Sequence, residues 1–212
     1  MSVHLKIEHE ILKNHTYVAG VDEVGRGAFA GPVVVGICVV SKETKLPPDG
    51  LNDSKLLKPT VREALQIPIE QWSVASTIGE ASAAEIDEWG LSRALFMAFV
   101  RGLKKLEIEP TAVLLDGKHD WISAHSKDLF SPLETSLAVT TQIKADTQAA
   151  SVAAASVVAK NYRDRYMMML EHELPGYGFA MNVGYGTPQH KKAIESLGLS
   201  YQHRKSWDLS TG

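Results

Sequence analysis

Gly20-Val21-Asp22-Glu23-Val24-Gly25-Arg26-Gly27-Ala28-Phe29-Ala30-Gly31-Pro32 sets two adjacent carboxylates and a glycine-rich turn between two apolar runs, Tyr17 to Val24 and Val33 to Val40. The second run is continuous and β-branched, the pattern of a strand covered on both faces. Strand, turn and strand predict an antiparallel pair with the carboxylates at its turn end. Gly25, Gly27 and Ala30 have the spacing of a dinucleotide-binding fingerprint, but that fingerprint must open a helix, and here Pro32 leads into a strand. Gly20 and Gly25 have P-loop spacing, yet Arg26-Gly27 stands where Lys and Ser or Thr are required. Neighbours on a regular strand point to opposite faces, so a shared site for Asp22 and Glu23 predicts that the strand frays or bulges there, which Gly25 would permit.

Working outward, Trp72 to Ile78 alternates as a third strand, close enough in sequence to be an antiparallel neighbour. Ser82 with Glu85 forms a capping-box signature. It predicts one long amphipathic helix to about Leu106, apolar at Ile86, Trp89, Leu91, Leu95, Phe96, Phe99, Val100 and Leu103, with Gly90 and Gly102 inside it. Thr111 to Leu115 is a short strand ending on Asp116-Gly117, and Ala138 to Lys144 is another running into Asp146. Gln148 to about Glu173 is alanine-rich without Gly or Pro and predicts a helix able to lie close on a sheet, with Met167 to Met169 in the core. Pro188 to Leu197 predicts a short further helix. The reading is an α/β chain with a central mixed sheet flanked by helices and a small helical C-terminal segment. It forms a single domain over residues 1–212, with a core at about 17–197 and a tail at 198–212.

The 212 residues, 44% apolar, suffice for one substantial core. No apolar run approaches the ~18 to 20 residues needed to span a bilayer. Charges at Lys6, Glu8, Glu10 and Lys13 interrupt any signal-like stretch, so no membrane association and a cytoplasmic protein are expected. Cys38, the only cysteine, lies in an apolar strand and reads as a small buried hydrophobe, which argues against disulfide, redox and cysteine-ligated zinc chemistry. The formal net charge of -3 is not that of a generally basic nucleic-acid binder, but Lys and Arg cluster locally at Lys42 and Lys45, Lys55 and Lys58, Lys160 with Arg163 and Arg165, Lys191 and Lys192, and Arg204 and Lys205. Each cluster reads as a solvated face or a phosphate track.

Two readings of the acids stay open on chemistry alone. Asp22 and Glu23 could be solvated carboxylates of a binding or structural module. Alternatively, Asp22, Glu23, Asp116 and Asp146 converge as oxygen ligands for hard divalent cations. Two such cations would generate a water nucleophile and stabilise an in-line phosphoryl displacement, with no Ser, Cys or His nucleophile.

The chain resembles the bacterial ribonuclease HII family. The resemblance rests on Asp22-Glu23-Val24-Gly25-Arg26-Gly27 with Ala30-Gly31-Pro32, then Asp53-Ser54-Lys55, Leu115-Asp116-Gly117 and Lys144-Ala145-Asp146. It continues through Ala153 to Lys160 with Arg163-Asp164, Gly184-Tyr185-Gly186-Thr187 with His190, and His203-Arg204-Lys205-Ser206, in order over about residues 17–207. It implies a ribonuclease H-like fold, a four-carboxylate site at Asp22, Glu23, Asp116 and Asp146 using Mg²⁺ or Mn²⁺, and a monomeric enzyme. The implied substrates are RNA/DNA hybrids and ribonucleotide-containing duplex DNA, cut 5′ to a ribonucleotide to leave 3′-hydroxyl and 5′-phosphate ends. Gly25, Arg26, Gly27 and Tyr185 would recognise the ribose 2′-hydroxyl, the group that separates RNA from DNA. Lys55 would approach the scissile phosphate or cover a turn. Another nuclease of this fold without junction preference, or an inactive binder, is the alternative.

The chain departs from the family pattern at Ala145, where Gly is usual, in the long Asp116 to Asp146 interval, and at Asn182-Val183, where a Lys often precedes the glycine. Asp120 and Asp128 also lie in that interval, but neither ends a β-like run. His190 and His203 read as structural or phosphate contacts rather than ligands, since hard cations take oxygen. Lys160, Arg163 and Arg165 read as complements to a helix dipole or as phosphate contacts.

Overall fold

The computed structural model describes residues 3–127, 131–133 and 136–209. Five strands form one mixed sheet: β1 (Tyr17–Val24), β2 (Val33–Ser41), β3 (Ala75–Ala81), β4 (Ala112–Asp116) and β5 (Ala138–Gln142), in the order β3-β2-β1-β4-β5. β1 and β2 pair antiparallel from Tyr17 opposite Ser41 to Val24 opposite Val34, and β3 adds antiparallel to β2. β4 and β5 run parallel to β1, which therefore lies at the centre of the sheet. All nine residues of β2 are buried, which is why its apolar run does not alternate. The C-terminal ends of β1 and β4 lie on one edge of the sheet, where open α/β sheets place ligands.

Helix α6 (Ala150–Glu173) covers one face, and α4 (Leu91–Leu103) with the shorter α3 (Ala83–Trp89) and α5 (Trp121–Ser126) covers the other. Along β1, Val18 belongs to the core on the α6 side, while Ala19 and Val21 pack with Phe96 and Phe99 of α4. The helices come very close to the sheet. A Cβ at Gly20 or Gly36 would strike the α6 backbone at Ser151 or Ala155, and one at Gly79 would strike Ala98 and Gly102 of α4. Ala150, Ala153, Ala154, Ala155 and Ala159 present the small side chains that such proximity requires. At the other end of the core, α1 (Lys6–Ile11) docks on the start of α6, where Glu8 Oε1 accepts hydrogen bonds from Ser151 N–H and Oγ–H, each 2.8 Å. A carboxylate there also complements the helix dipole.

The capping box at Ser82 and Glu85 is present, but the helix it opens is broken. Gly90, at φ 76° and ψ 158°, separates α3 from α4 and turns the chain so that α3 packs against α4, which lies on the sheet. The third strand is Ala75–Ala81 rather than Trp72 to Ile78, because Trp72 closes a preceding helix, α2 (Pro59–Trp72). Of Met167 to Met169, only Met167 is in the core; Met168 and Met169 are exposed, as a helix surface turns 100° per residue. The last strand stops at Gln142, and a single 3-10 turn at Ala145–Thr147 carries Asp146. Two short helices, α7 (Phe179–Asn182) and α8 (Pro188–Leu197), follow α6 and complete the α-helices among the described residues. The stretch that follows folds back as turns, with His203 bridged to Ala30. Asp128 lies outside the described residues.

Candidate functional site

β1 pairs with β4 only as far as Val21 opposite Leu115, while its pairing with β2 continues to Val24. Beyond Val21 the two parallel strands part, and Asp22, Glu23 and Asp116 lie at the mouth of that fork. Of the two expected irregularities β1 shows no bulge, because it stays regular in register with β2; it frays on its β4 side instead, and that fork supplies the shared site. Asp22 is 4% exposed, and its Oδ1 accepts a 2.8 Å hydrogen bond from Glu23 N–H. Burial, then the charges of Glu23 and Asp116, hold the Asp22 carboxyl well above its ordinary value. Glu23 is also raised, first by burial; an Arg26 Nη1 hydrogen bond at 3.0 Å opposes this and Asp116 adds to it. Glu23 Oε2 is buried with no partner.

Asp116 Oδ1 accepts 2.7 Å from Ala145 N–H, which ties the end of β4 to the turn carrying Asp146. Asp146 is 4% exposed and raised by burial, then by Asp116 and Asp53. Ala145 causes no conflict: its side chain is fully buried, and the positive φ of this turn, 57°, falls on Lys144. Lys55 Nζ lies 3.4 Å from Asp146 Oδ2 and 4.0 Å from Asp53 Oδ1. Desolvation would lower the Lys55 ammonium, but Asp22, Asp53 and Asp146 outweigh it and raise it. The side chain is aimed by its own turn, in which Asp53 Oδ1 accepts Lys55 N–H at 2.9 Å and buried Ser54 accepts from Ser156 of α6 at 2.7 Å.

Four carboxylates therefore influence one another at one sheet edge, with Lys55 as counter-charge. Their donor set is all oxygen, and a buried, unpartnered Glu23 oxygen together with neighbouring charges that raise Asp22 and Glu23 is what a hard divalent cation would relieve. Among the described residues no three such side chains already stand in ligand geometry. The residues thus fit a hard cation in the kind of donor they offer, without being arranged as a ligand set.

Around this edge, two arginines that read as surface or phosphate-tracking residues are fully buried. Arg204 donates to the carbonyls of Gly25 (2.6 Å), Arg26 (2.9 Å) and Gly31 (3.1 Å). Arg163 donates to those of Pro32 (2.9 Å), Ala30 (3.1 Å) and Val183 (2.8 Å). Burial lowers both guanidinium groups, Arg204 to about 9. One signal could have found Arg163, since it lies four residues after Ala159 and four before Met167 on the buried stripe of α6. Lys160 instead pairs with Asp164 at 2.6 Å.

Gly25, at φ 85°, has Arg163 where a side chain would be, whereas a Cβ on Gly27 would meet nothing within 4 Å. The loop is joined to the Tyr185 segment, since Gly184 O accepts from Phe29 N–H (2.8 Å) and Ala30 N–H (3.1 Å). Tyr185 is partly exposed, with the Arg163 guanidinium 5.6 Å from its ring centre. Arg26, Ser92, Lys118 and His119 line an open groove of about 510 Å³ that begins two residues past Asp116. Its cations suit a phosphate backbone.

Residues 19–210 match the family profile described as Ribonuclease HII. A ribonuclease HII of Streptomyces griseus is 45% identical over 193 residues, covering 90% of this chain and 76% of the relative. One from Thermus thermophilus is 43% identical over 190 residues, covering 89% and 84%. The crystal structure of ribonuclease H2 from Pyrococcus horikoshii OT3 superimposes with a TM-score of 0.74 at 28% identity, covering 92% of this chain and 95% of that one.

Proposed function

The chain belongs to the ribonuclease HII family and is a ribonuclease H acting on RNA/DNA hybrids, and from that premise we propose that it also nicks duplex DNA 5′ to an embedded ribonucleotide. The products would carry 3′-hydroxyl and 5′-phosphate ends. The observation that carries the reading is the fork between β1 and β4, where Asp22, Glu23 and Asp116 meet the turn that holds Asp146. Two hard divalent cations, Mg²⁺ or Mn²⁺, held by these carboxylates would supply a water nucleophile at neutral pH and offset charge on the attacking and leaving oxygens. Ala145 N–H orients Asp116, Arg26 orients Glu23, and Lys55 is in position to meet a scissile phosphate once the acids are otherwise neutralised. The turn at residues 25–27 and Tyr185 flank the edge and would verify the 2′-hydroxyl at the junction. Open space at Gly27 leaves room for a sugar there. In this reading the enzyme works as a monomer in the cytoplasm; no helix among the described residues is long and apolar enough to cross a membrane.

The test is cleavage of end-labelled duplex DNA carrying one ribonucleotide, beside all-DNA and uniform-hybrid duplexes, with Mg²⁺, Mn²⁺ or EDTA. A metal-dependent nick 5′ to the ribonucleotide, absent from all-DNA, is expected. Cleavage of the uniform hybrid alone would overturn the junction role of residues 25–27 and Tyr185, and full activity in EDTA would overturn the metal site.

A further inference from the structure

Behind Tyr185 lie two imidazoles with a complete set of hydrogen bonds. His190 and His203 are 0% and 1% exposed, walled by Tyr177, Phe179 and Phe29, with Tyr177 and His203 rings 4.9 Å apart and Phe179 and His190 rings 5.3 Å apart, edge to face. Their contacts dictate where the protons sit. Ser200 N–H donates to His203 Nδ1 at 2.9 Å, so that nitrogen must be an acceptor and the proton must be on Nε2. His203 Nε2–H can then donate across 3.1 Å to His190 Nε2. With Nε2 accepting, His190 carries its proton on Nδ1, which donates to Tyr185 O at 2.9 Å. Each link requires a neutral ring, and burial lowers both imidazoles accordingly, His203 to about 4.

The two ends of this relay belong to different parts of the proposed reading surface. His203 lies on the stretch that pairs with the glycine loop, where Gly31 N–H donates to Gln202 O (2.9 Å) and Arg204 N–H to Phe29 O (2.9 Å). His190 lies in the first turn of α8 and holds the carbonyl of Tyr185. The pair therefore links the Tyr185 carbonyl to the stretch whose Arg204 holds the carbonyls of Gly25 and Arg26. We propose that His190 and His203 form a neutral imidazole relay that fixes Tyr185 relative to the turn at residues 25–27, making them positioning residues for ribose recognition at the junction. The inference rests on the junction role given to Tyr185 above.

Three variants and one spectrum test it: His190→Leu, His190→Asn and Tyr185→Ala, each assayed on the single-ribonucleotide duplex and the uniform hybrid. Asn places an amide donor near the position of Nδ1, so it can retain the bond to Tyr185 O, whereas Leu cannot. His190→Leu is expected to lower kcat/KM on the single-ribonucleotide duplex by about tenfold, with uniform-hybrid turnover held within about twofold, because misplacement of a recognition group costs more than its distance suggests. Tyr185→Ala should shift the ratio in the same direction, and His190→Asn, which keeps the bond to Tyr185 O but loses the link to His203, should restore only part of it; full rescue by Asn would overturn the relay. If Tyr185→Ala shifts the ratio and His190→Leu does not, the relay is overturned while the junction reading stands. If Tyr185→Ala leaves the ratio unchanged, the junction reading fails and the relay's role falls with it. Equal losses on both substrates would make the pair mere scaffolding and overturn the proposal. Nitrogen-15 NMR of the wild-type imidazoles at pH 7 decides even if His190→Leu does not fold: Nδ1–H in His190 with Nε2–H in His203 is expected, and any other tautomer, or a cationic ring, overturns the relay.

Discussion

Asp22→Asn is expected to lower cleavage by about 10²- to 10³-fold while making the metal-free protein more stable at pH 7. The first effect follows from the loss of an anionic ligand at the reacting centre, where removal of one transition-state stabiliser costs on the order of 10² to 10³ in rate. The second follows from the charge itself. Asp22 is buried beside Glu23 and Asp116, and its carboxyl is held well above the ordinary value. A carboxyl raised in the folded state contributes stability below its unfolded value, near 3.8, and that contribution is lost as pH climbs through the folded value. As pH rises above the unfolded value the wild type therefore bears a penalty that the variant does not. Asn removes it and retains an amide oxygen for Glu23 N–H. In a chain of this size each kcal/mol relieved raises Tm by roughly 2 to 4 °C. The advantage of the variant should vanish as pH falls below about 4, where Asp22 is protonated in both folded and unfolded wild type. Mg²⁺ or Mn²⁺ should stabilise the wild type more than the variant, since ligands stabilise the state that binds them. Wild-type turnover by the variant would end the assignment of Asp22 as a ligand, and a lower metal-free Tm at pH 7 would end the repulsion account.

The residues that carry this prediction were legible to different degrees, for physical reasons. β1, the glycine turn and β2 could be read because a continuous β-branched run, a proline and closely spaced glycines are local signals that tertiary packing only reinforced. Asp116 at the end of β4 was legible on the same grounds. Asp146 was reached through a strand that stops earlier, and a 3-10 turn, stabilised across the chain by the Ala145 to Asp116 hydrogen bond, delivers it. That bond joins residues 29 positions apart and has no local signature. The convergence of Asp22 and Glu23 could not be derived from one strand's alternation, because the fork depends on where a second strand stops pairing. Helix α2 was hidden by Pro68, which interrupts its hydrogen-bond pattern, although Arg62, Leu65 and Ile69 still face inward. The buried arginines were the hardest to see. Lys and Arg are presumed solvated, and only the carbonyl-rich inner side of the glycine loop makes a buried guanidinium stable.

Gly36→Ala is expected to destabilise the fold by about 3 kcal/mol, the upper part of the usual cost of overpacking a close-packed core. In thermal unfolding this corresponds to a Tm lower by roughly 6 to 12 °C. The added methyl would strike Ala155 O and lie 3.0 Å from the Ala159 Cβ, so it meets the backbone of α6 rather than a side chain that can swing away. Reduced entropy of the unfolded chain, worth about 0.4 to 1 kcal/mol in favour of Ala, offsets little of this. Nor would the damage stay local. Gly36 pairs with Asp22, and the α6 segment displaced from it carries Ser156, which holds the Lys55 turn, and Arg163, which holds the glycine loop. Gly27→Ala supplies the contrast. Its methyl enters open space without positive φ, so stability should change by no more than about 0.5 kcal/mol. Cleavage of the single-ribonucleotide duplex should nonetheless fall, because that space is the one proposed for the sugar. A Gly36→Ala protein with unchanged Tm would mean that α6 can slide on the sheet at no cost, and an unchanged single-ribonucleotide rate in Gly27→Ala would mean that the sugar does not pass there. Two glycines nine residues apart thus separate the demands on this chain: one is small so that a helix can close on the sheet, the other so that a substrate can.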